Sequence, residues 1–192
     1  MPPGRLRPTL AVAAAAAVTT AAVAVACSST TGLPSAVITN VVDTVSLYAI
    51  RGTPLNTPSA YALFGNQTVF IQQTTALDFA FDFDSIGAPA LFPTGAIHLG
   101  TGSGLQTSTT RFDSIKVAPT GNYIFDKPIA LDTGTVVLVS SRITPCVFGI
   151  SAPLYAKLRV IRVDSTARRL DFTILVDQNC GYRGLEPGLP TQ

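Results

Sequence analysis

The stretch that decides the fold is "RRLDFTILVDQ", residues 168–178. Large apolar residues alternate with polar ones through its centre: Leu170, Phe172, Ile174 and Val176 fall on one side, and Arg169, Asp171 and Thr173 on the other. Successive side chains of a β-strand point to opposite faces of its sheet, so this alternation is typical of a strand with one buried face. The stretch therefore predicts a β-strand near the end of the chain.

The preceding stretch, "LYAKLRVIRVD" (154–164), predicts a second strand, joined to the first by the short turn "STA". Basic and apolar residues alternate in it as far as Val160, but Ile161 and Val163 then fall on the basic side. An extra residue in one strand shifts the alternation by one position. This change of phase therefore predicts a β-bulge or a change of cover along the strand.

The rest of the chain has the pattern of further short strands separated by Gly- and Pro-rich turns. β-Branched residues are frequent in "AVITNVVDTVSLYAI" (36–50), and the Gly65-Asn66 step between "SAYALFG" and "QTVFIQQ" is typical of a tight hairpin. About eight to ten strands without an amphipathic helix favour an all-β fold. We expect an antiparallel β-sandwich, immunoglobulin-like in architecture, with a small β-barrel as the alternative. Because the chain has no Trp, it lacks the Cys–Trp–Cys pattern of a true immunoglobulin domain.

The most acidic stretch, "ALDFAFDFDS" (76–85), also has a period of two. Large apolar residues alternate in it with three acids, Asp78, Asp82 and Asp84. We therefore expect a half-buried strand whose aspartates form the solvent face. A calcium loop counted from Asp82 fits poorly, because Ile86 and Pro93 would stand where oxygen ligands are needed. The alternatives are a weak surface cation site and a hydrolase that draws its carboxylates from these three acids and Asp113.

Candidate nucleophiles and metal ligands are scarce. His98, in "GAIHLG", is the only histidine, so a Ser-His-Asp triad would have to use it. In "GTGSG" (100–104) Ser103 stands fourth rather than third, so no G-x-S-x-G elbow is present, and no phosphate-binding motif occurs. We expect no catalytic residue, no metal site and no cofactor, and hence a protein that is not an enzyme.

Residues 1–26 have the features of an export signal. "MPPGRLRPTL" carries Arg5 and Arg7 without an acid, and every residue at positions 10–26 is apolar except two threonines. An uncleaved membrane helix is the alternative. Such a helix needs about 20 strongly apolar residues, whereas this stretch is mostly alanine.

The leader ends in "AVAC" (24–27), which resembles the lipobox of bacterial lipoproteins, with Ala24 where the family prefers Leu. The resemblance implies that Cys27 carries a diacylglyceryl group, that cleavage occurs just before it, and that the new N-terminus is acylated. Several acyl chains make such anchoring effectively permanent. Ser28 in place of Asp implies the outer membrane in Gram-negative members of the family. Ordinary cleavage after residues 24–26, leaving a free thiol in a soluble periplasmic or secreted protein, is the alternative.

The three cysteines are an odd number for an exported chain. Lipidation of Cys27 gives the odd thiol a chemical fate and leaves Cys146 and Cys180 to form a disulfide in an oxidising compartment. Two reduced cysteines are the alternative. The predicted organisation is a leader at 1–26, a lipidated cysteine and short tether at 27–35, and one domain at 36–192 with a Gly/Pro-rich tail from about residue 181.

Charge and aromatic content limit the choice of partners. Arg5 and Arg7 account for the formal charge of +2, so the mature chain is neutral and has no basic patch for nucleic acid. The sequence predicts a non-enzymatic, lipid-anchored cell-envelope protein with a structural or binding role and an envelope protein or glycan as its partner. The alternative is a carbohydrate- or peptide-binding module, for which five tyrosines are available: Tyr48, Tyr61, Tyr123, Tyr155 and Tyr182.

Overall fold

Two five-stranded antiparallel sheets and a two-stranded ribbon form the part of the chain described by the computed structural model, residues 33–146 and 151–190. In spatial order, the first sheet contains β1 (Val42–Tyr48), β12 (Arg169–Asp177), β11 (Tyr155–Asp164), β8 (Val136–Ser140) and β6 (Gly104–Ser108). The second contains β3 (Gln67–Val69), β2 (Ala60–Ala62), β4 (Phe79–Phe83), β5 (Pro89–Pro93) and β7 (Ile129–Ala130). The ribbon pairs β9 (Thr144–Pro145) with β10 (Ser151–Ala152), and short 3₁₀ helices lie at Thr94–Ile97 and Phe112–Ser114.

The two sheets pack face to face around an apolar core. Both sheets contribute to it, the first with Leu47, Val137, Leu158, Phe172 and Ile174 and the second with Tyr61, Phe79, Phe81 and Leu91. At its centre the rings of Tyr61, Phe79 and Phe172 contact one another, with centroids between 5.5 and 6.2 Å apart. The predicted antiparallel β-sandwich is confirmed, and the described strands do not close into a barrel.

Local features predicted from the sequence are found in the strands. β11 and β12 form the expected hairpin, in which Val160 pairs with Phe172 and Arg162 with Asp171, so Ile161 is the extra residue of a β-bulge. β2 and β3 are joined at the predicted Gly65-Asn66 step. Both turn residues have positive φ, 82° and 51°, which Gly and Asn adopt most readily.

Loops cover both outer faces of the sandwich, which the sequence did not predict. On the first sheet, the cover comes from the loop around residues 112–118 and from the C-terminal tail, and the packed residues are Phe112, Ile115, Ala118, Val136, Leu138, Leu175 and Leu185. On the second sheet, the packed residues are Ala60, Leu77 and Ala80 with Ile50, Val69, Ile71 and Ile97. Each sheet is therefore buried on two sides over part of its area.

Lys157 shows the effect of this cover. The alternation in β11 places it on the polar side of the strand, yet its side chain is buried under Phe112. Its Nζ donates hydrogen bonds to the carbonyl oxygens of Phe112 and Ile115, at 2.8 and 2.9 Å, and lies 4.6 Å from the centre of the Phe112 ring. Burial lowers the pKa of the ammonium group, while Asp113 and Glu186 act in the opposite direction.

The folded body begins at Ser35. The predicted leader (1–26), Cys27 and most of the predicted tether lie outside the described residues. In the part of the chain that the structure describes, no helix is both long enough and apolar enough to span a membrane.

Candidate functional site

The N-terminal segment of the body is held by Asn179, which follows β12. The Oδ1 atom of Asn179 accepts hydrogen bonds from the backbone N–H groups of Val37 and Ile38, both at 2.9 Å. Its Nδ2 donates to the carbonyl oxygen of Ile38 at 2.7 Å. A side-chain amide offers both donors and acceptors, so Asn179 takes the place of a neighbouring strand for these two residues. The start of the body is therefore fixed to the end of β12.

Asn40 extends this attachment to the C-terminal tail. Its backbone N–H donates to the carbonyl oxygen of Gly188 at 2.8 Å, and the N–H of Gly188 donates back at 3.0 Å. The side-chain Nδ2 of Asn40 also donates to the carbonyl oxygen of Gly184, at 2.8 Å. The first and last segments of the body thus lie side by side at one end of the sandwich.

Asp177, the last residue of β12, orients Asn179. One carboxylate oxygen, Oδ1, accepts hydrogen bonds from both the backbone N–H and the side-chain Nδ2 of Asn179, each at 2.9 Å. Burial raises the pKa of this carboxyl, and the hydrogen bonds from Asn179 offset part of that effect. Because Asp177 is fully buried, it supports the attachment rather than meeting a ligand.

A disulfide closes the same end of the sandwich. Cys146 and Cys180 are bridged, as predicted, with their Cα atoms 6.0 Å apart, which is within the usual range. Because Cys180 directly follows Asn179, the bridge ties the attachment point to the segment after β9. Cys27, the predicted lipidation site, lies outside the described residues.

The expectation that the aspartates of the acidic stretch face solvent is wrong for Asp78. Its side chain is fully buried, and its two oxygens accept hydrogen bonds from the backbone N–H groups of Leu63 at 2.7 Å and Arg142 at 3.1 Å. Burial raises the pKa of the carboxyl, and these two bonds oppose that change. The alternation in β4 was predicted correctly, but covering loops meet its second face and supply donors to the acid.

The same expectation is wrong for Asp82, which is also buried. It accepts hydrogen bonds from Nε of Arg51 at 2.6 Å and from Nη2 of Arg168 at 3.3 Å. Arg51 also donates to the carbonyl oxygen of Phe83, and the guanidinium of Arg168 lies 4.4 Å from the centre of the Phe83 ring. The acid thus joins β4 to the segment after β1 and to the β11–β12 hairpin.

The four candidate acids of a hydrolase have separate structural surroundings. Asp78, directly before β4, and Asp82, within it, are about 13 Å apart between Cα atoms and are bound by different arginines. Asp84 caps its own turn by accepting from the N–H groups of Ile86 and Ala88 at 2.9 and 2.8 Å, and Asp113 is exposed. Among these four, no two carboxylates accept a hydrogen bond from the same residue, and none lines either of the grooves described below.

His98 and Ser103, the residues that a catalytic triad would need, differ in their exposure to solvent. His98 is exposed at the C-terminal end of a 3₁₀ helix, with a φ of 61°. Ser103 is fully buried, and its hydroxyl donates to the backbone oxygen of Asp78 while its N–H donates to Oγ1 of Thr94 at 3.1 Å. Ser103 therefore links the start of β6 to the segment after β5.

The tyrosines do not form an exposed platform. Tyr61 and Tyr182 are buried, and Tyr48, Tyr123 and Tyr155 are half-buried. Tyr123 and Tyr155 contact each other, with ring centres 6.4 Å apart, against the cover of the first sheet. Half-buried tyrosines are the ordinary arrangement in a β-protein.

A network that the sequence did not indicate surrounds Asp171 on the outer face of the first sheet. Its carboxylate accepts hydrogen bonds from Arg169 at 2.7 and 2.9 Å, from Ser46 at 2.6 Å, and from Arg162 at 3.1 and 3.3 Å. These partners, Arg169 foremost, lower the pKa of Asp171 to about 2 although burial acts against them. The ion-pair network fastens β1, β11 and β12 together.

Shallow grooves on the described part of the surface include two of similar size. One, of about 480 Å³, is lined by Thr101, Tyr123, Ile124, Phe125, Asp126 and Lys127. The other, of about 410 Å³, lies between β6 and the covering loop and includes Gln106, Lys116 and Arg183 in its lining. Within residues 33–146 and 151–190, no group of three or more His, Cys, Asp or Glu side chains could hold a metal ion.

Comparison with known proteins gives no family: the chain matches no protein-family model and no curated protein. Its function is therefore argued from its own residues. The asparagines that hold the N-terminal segment were not predicted, because Asn40 and Asn179 follow no period in the sequence and act across the whole length of the body.

Proposed function

We propose that the protein is a lipid-anchored cell-envelope protein with a non-enzymatic, structural or binding role. The observation that carries the proposal concerns the cysteines. Of the three in the chain, Cys146 and Cys180 form a disulfide, which leaves Cys27 at the end of the lipobox-like leader as the odd one. Lipidation accounts for a cysteine at that position, whereas a free thiol in an oxidising compartment would be exposed to oxidation.

The attachment of the N-terminal segment supports this role. Any force on a lipid anchor reaches the folded body through the residues that follow the tether. Here these residues are held by hydrogen bonds to Asn179 and by the pairing of Asn40 with Gly188. The disulfide strengthens the same end. The protein would be exported and held in the bacterial envelope, with the outer membrane favoured by Ser28; a soluble periplasmic or secreted protein is the alternative.

A non-enzymatic role is supported by the use that the fold makes of its acids. Asp78, Asp82, Asp171 and Asp177 all accept hydrogen bonds from several structural partners. These bonds hold loops and hairpins in place. Of the four candidate carboxylates of a hydrolase, Asp78 and Asp82 are thus engaged in stabilising the sandwich.

Mass spectrometry of the mature protein tests the anchor. We expect an N-terminus at Cys27 that carries a diacylglyceryl group and an amide-linked acyl chain, together with labelling by radioactive palmitate. In the Cys27→Ala variant the label should disappear while the Cys146–Cys180 disulfide stays intact, which separates loss of the anchor from misfolding. A mature N-terminus at Cys27 or later with an unmodified thiol would refute the proposal.

A second candidate, a carbohydrate- or peptide-binding module, is favoured by the groove that contains Tyr123 and Phe125. Its lining is largely aromatic and apolar and also includes Asp126 and Lys127, which could form polar contacts with an extended ligand. Nuclear magnetic resonance titration with glycan and peptide libraries should shift the resonances of residues 123–127 if this role is correct. Shifts absent from that segment with every ligand would remove the candidate.

A further inference from the structure

A strip of exposed apolar residues lies at the end of the sandwich where the N-terminal segment is attached. Val37 is 80% exposed, Val41 57% and Leu189 59%. The pairing of Asn40 with Gly188 brings the two segments that carry these side chains together. We name this surface the apolar strip, and its members are Val37, Ile38, Val41, Val42 and Leu189.

The apolar strip is free of charge as well as exposed. No charged side chain occurs between Ser28 and Val42, and none follows Glu186 in the tail. Glu186 itself is paired with Lys116 at 3.0 Å. Single exposed apolar side chains are ordinary, but several on two adjoining segments are more typical of an interaction site.

We propose that the apolar strip rests in the interfacial layer of the membrane that holds the lipid on Cys27, an inference that depends on the proposed anchor. The ten residue-to-residue steps from Cys27 to Val37 span at most about 33–36 Å when the chain is fully extended. β12 has nine residues and spans about 27–30 Å. If the opposite end of the body faced the bilayer, the tether would have to run along the length of β12 and would be almost fully extended. The tether therefore keeps the apolar strip, rather than the opposite end, near the lipid.

Charged side chains are concentrated at the opposite end of the sandwich. Four arginines cluster around the β11–β12 hairpin and bind Asp82 and Asp171: Arg51, Arg162, Arg168 and Arg169. Two exposed apolar side chains at this end lie in separate loops: Ile86, 87% exposed between β4 and β5, and Leu55, 71% exposed after β1. Apolar side chains enter the boundary between headgroups and acyl chains to a depth of about 5–10 Å. The difference between the two ends therefore gives the body a preferred orientation on the bilayer.

Because the chain contains no Trp, a single introduced Trp reports on its own surroundings. The test compares Val41→Trp, in the strip, with Ile86→Trp as the matched control. Each variant is purified from membranes with its lipid and reconstituted in phosphatidylcholine vesicles with or without brominated acyl chains. We expect the Val41→Trp emission to be blue-shifted, and to be quenched by brominated lipid about threefold or more beyond the control. Leu189→Trp repeats the measurement from the tail, so the result does not depend on how β1 tolerates Trp.

The outcomes separate this inference from the proposed anchor. Equal quenching of the strip and control variants, in protein whose lipid on Cys27 is confirmed by mass spectrometry, would overturn the strip's membrane contact and leave the anchor intact. A blue shift without quenching by brominated lipid would mean that protein covers the strip, a second copy or a partner, and would also overturn it. Absence of lipid on Cys27 would remove the anchor and the inference together.

Discussion

Replacing Asp78 by Ala removes the acceptor of two backbone N–H groups, those of Leu63 and Arg142, in a site with no access to water. A buried donor left without a partner costs about 1–3 kcal/mol, and the variant is spared the cost of burying a carboxyl. We therefore expect the free energy of unfolding to fall by about 2–4 kcal/mol. Asp78→Asn, which keeps one acceptor oxygen, should lie between Asp78→Ala and the wild type.

Urea unfolding followed by circular dichroism, with the disulfide intact, measures this effect. With a denaturant dependence of about 2 kcal/mol per molar urea, the midpoint should move down by about 1–2 M. Asp84→Ala is the matched control, because Asp84 accepts from N–H groups in an exposed turn that water can serve instead, and it should cost about 1 kcal/mol or less. If Asp78→Ala lies within about 0.5 kcal/mol of the wild type, or no lower than Asp84→Ala, the structural role given to Asp78 is wrong.

Three further predictions concern other contacts. Because the pKa of Asp171 is lowered to about 2, its ionised form stabilises the fold above the unfolded-state pKa of about 3.9, and this contribution is lost as the pH falls toward 2. The stability difference between wild type and Asp171→Asn should therefore be present at pH 6 and vanish near pH 2 in urea titrations, and a difference that persists in acid would contradict the assignment. Removing the disulfide by Cys146→Ala with Cys180→Ala should lower the free energy of unfolding by about 3.5–4 kcal/mol in the same assay, whereas an unchanged midpoint would show that the bridge adds nothing. Gly95→Ala would place a Cβ against the carbonyl oxygen of Phe125 and should lower the free energy of unfolding by about 1–3 kcal/mol in thermal unfolding. Gly121→Ala, where the added Cβ meets open space, is the control and should change it by less than about 1 kcal/mol. Equal effects would refute the packing at Gly95.

The strand pattern of the chain was predictable because it depends on local alternation. The stretch around Phe172, the bulge at Ile161 and the hairpin at Gly65-Asn66 are each specified by residues within a few positions of one another. The disulfide was predictable by counting cysteines. None of these predictions needed knowledge of which segments meet in space.

What the sequence did not reveal is the cover over each sheet. A period of two tells which residues share a face, but not whether water or a loop lies against that face. Asp78 was therefore expected in solvent and is buried instead, and Lys157, on the polar side of β11, is buried as well; each is satisfied by backbone groups of a distant segment. The asparagine attachment was missed for the same reason, since Asn179 acts on residues at the other end of the chain.

The position of β1 at the edge of its sheet has a consequence for the time at which the protein folds. Among the described strands, β1 pairs only with β12, the last strand of the chain, and Asn179 lies later still. The first strand therefore has no partner until nearly all of the protein has been synthesised, and contacts so far apart in sequence form slowly. The first sheet of this protein is therefore completed only after the C-terminal residues have been synthesised.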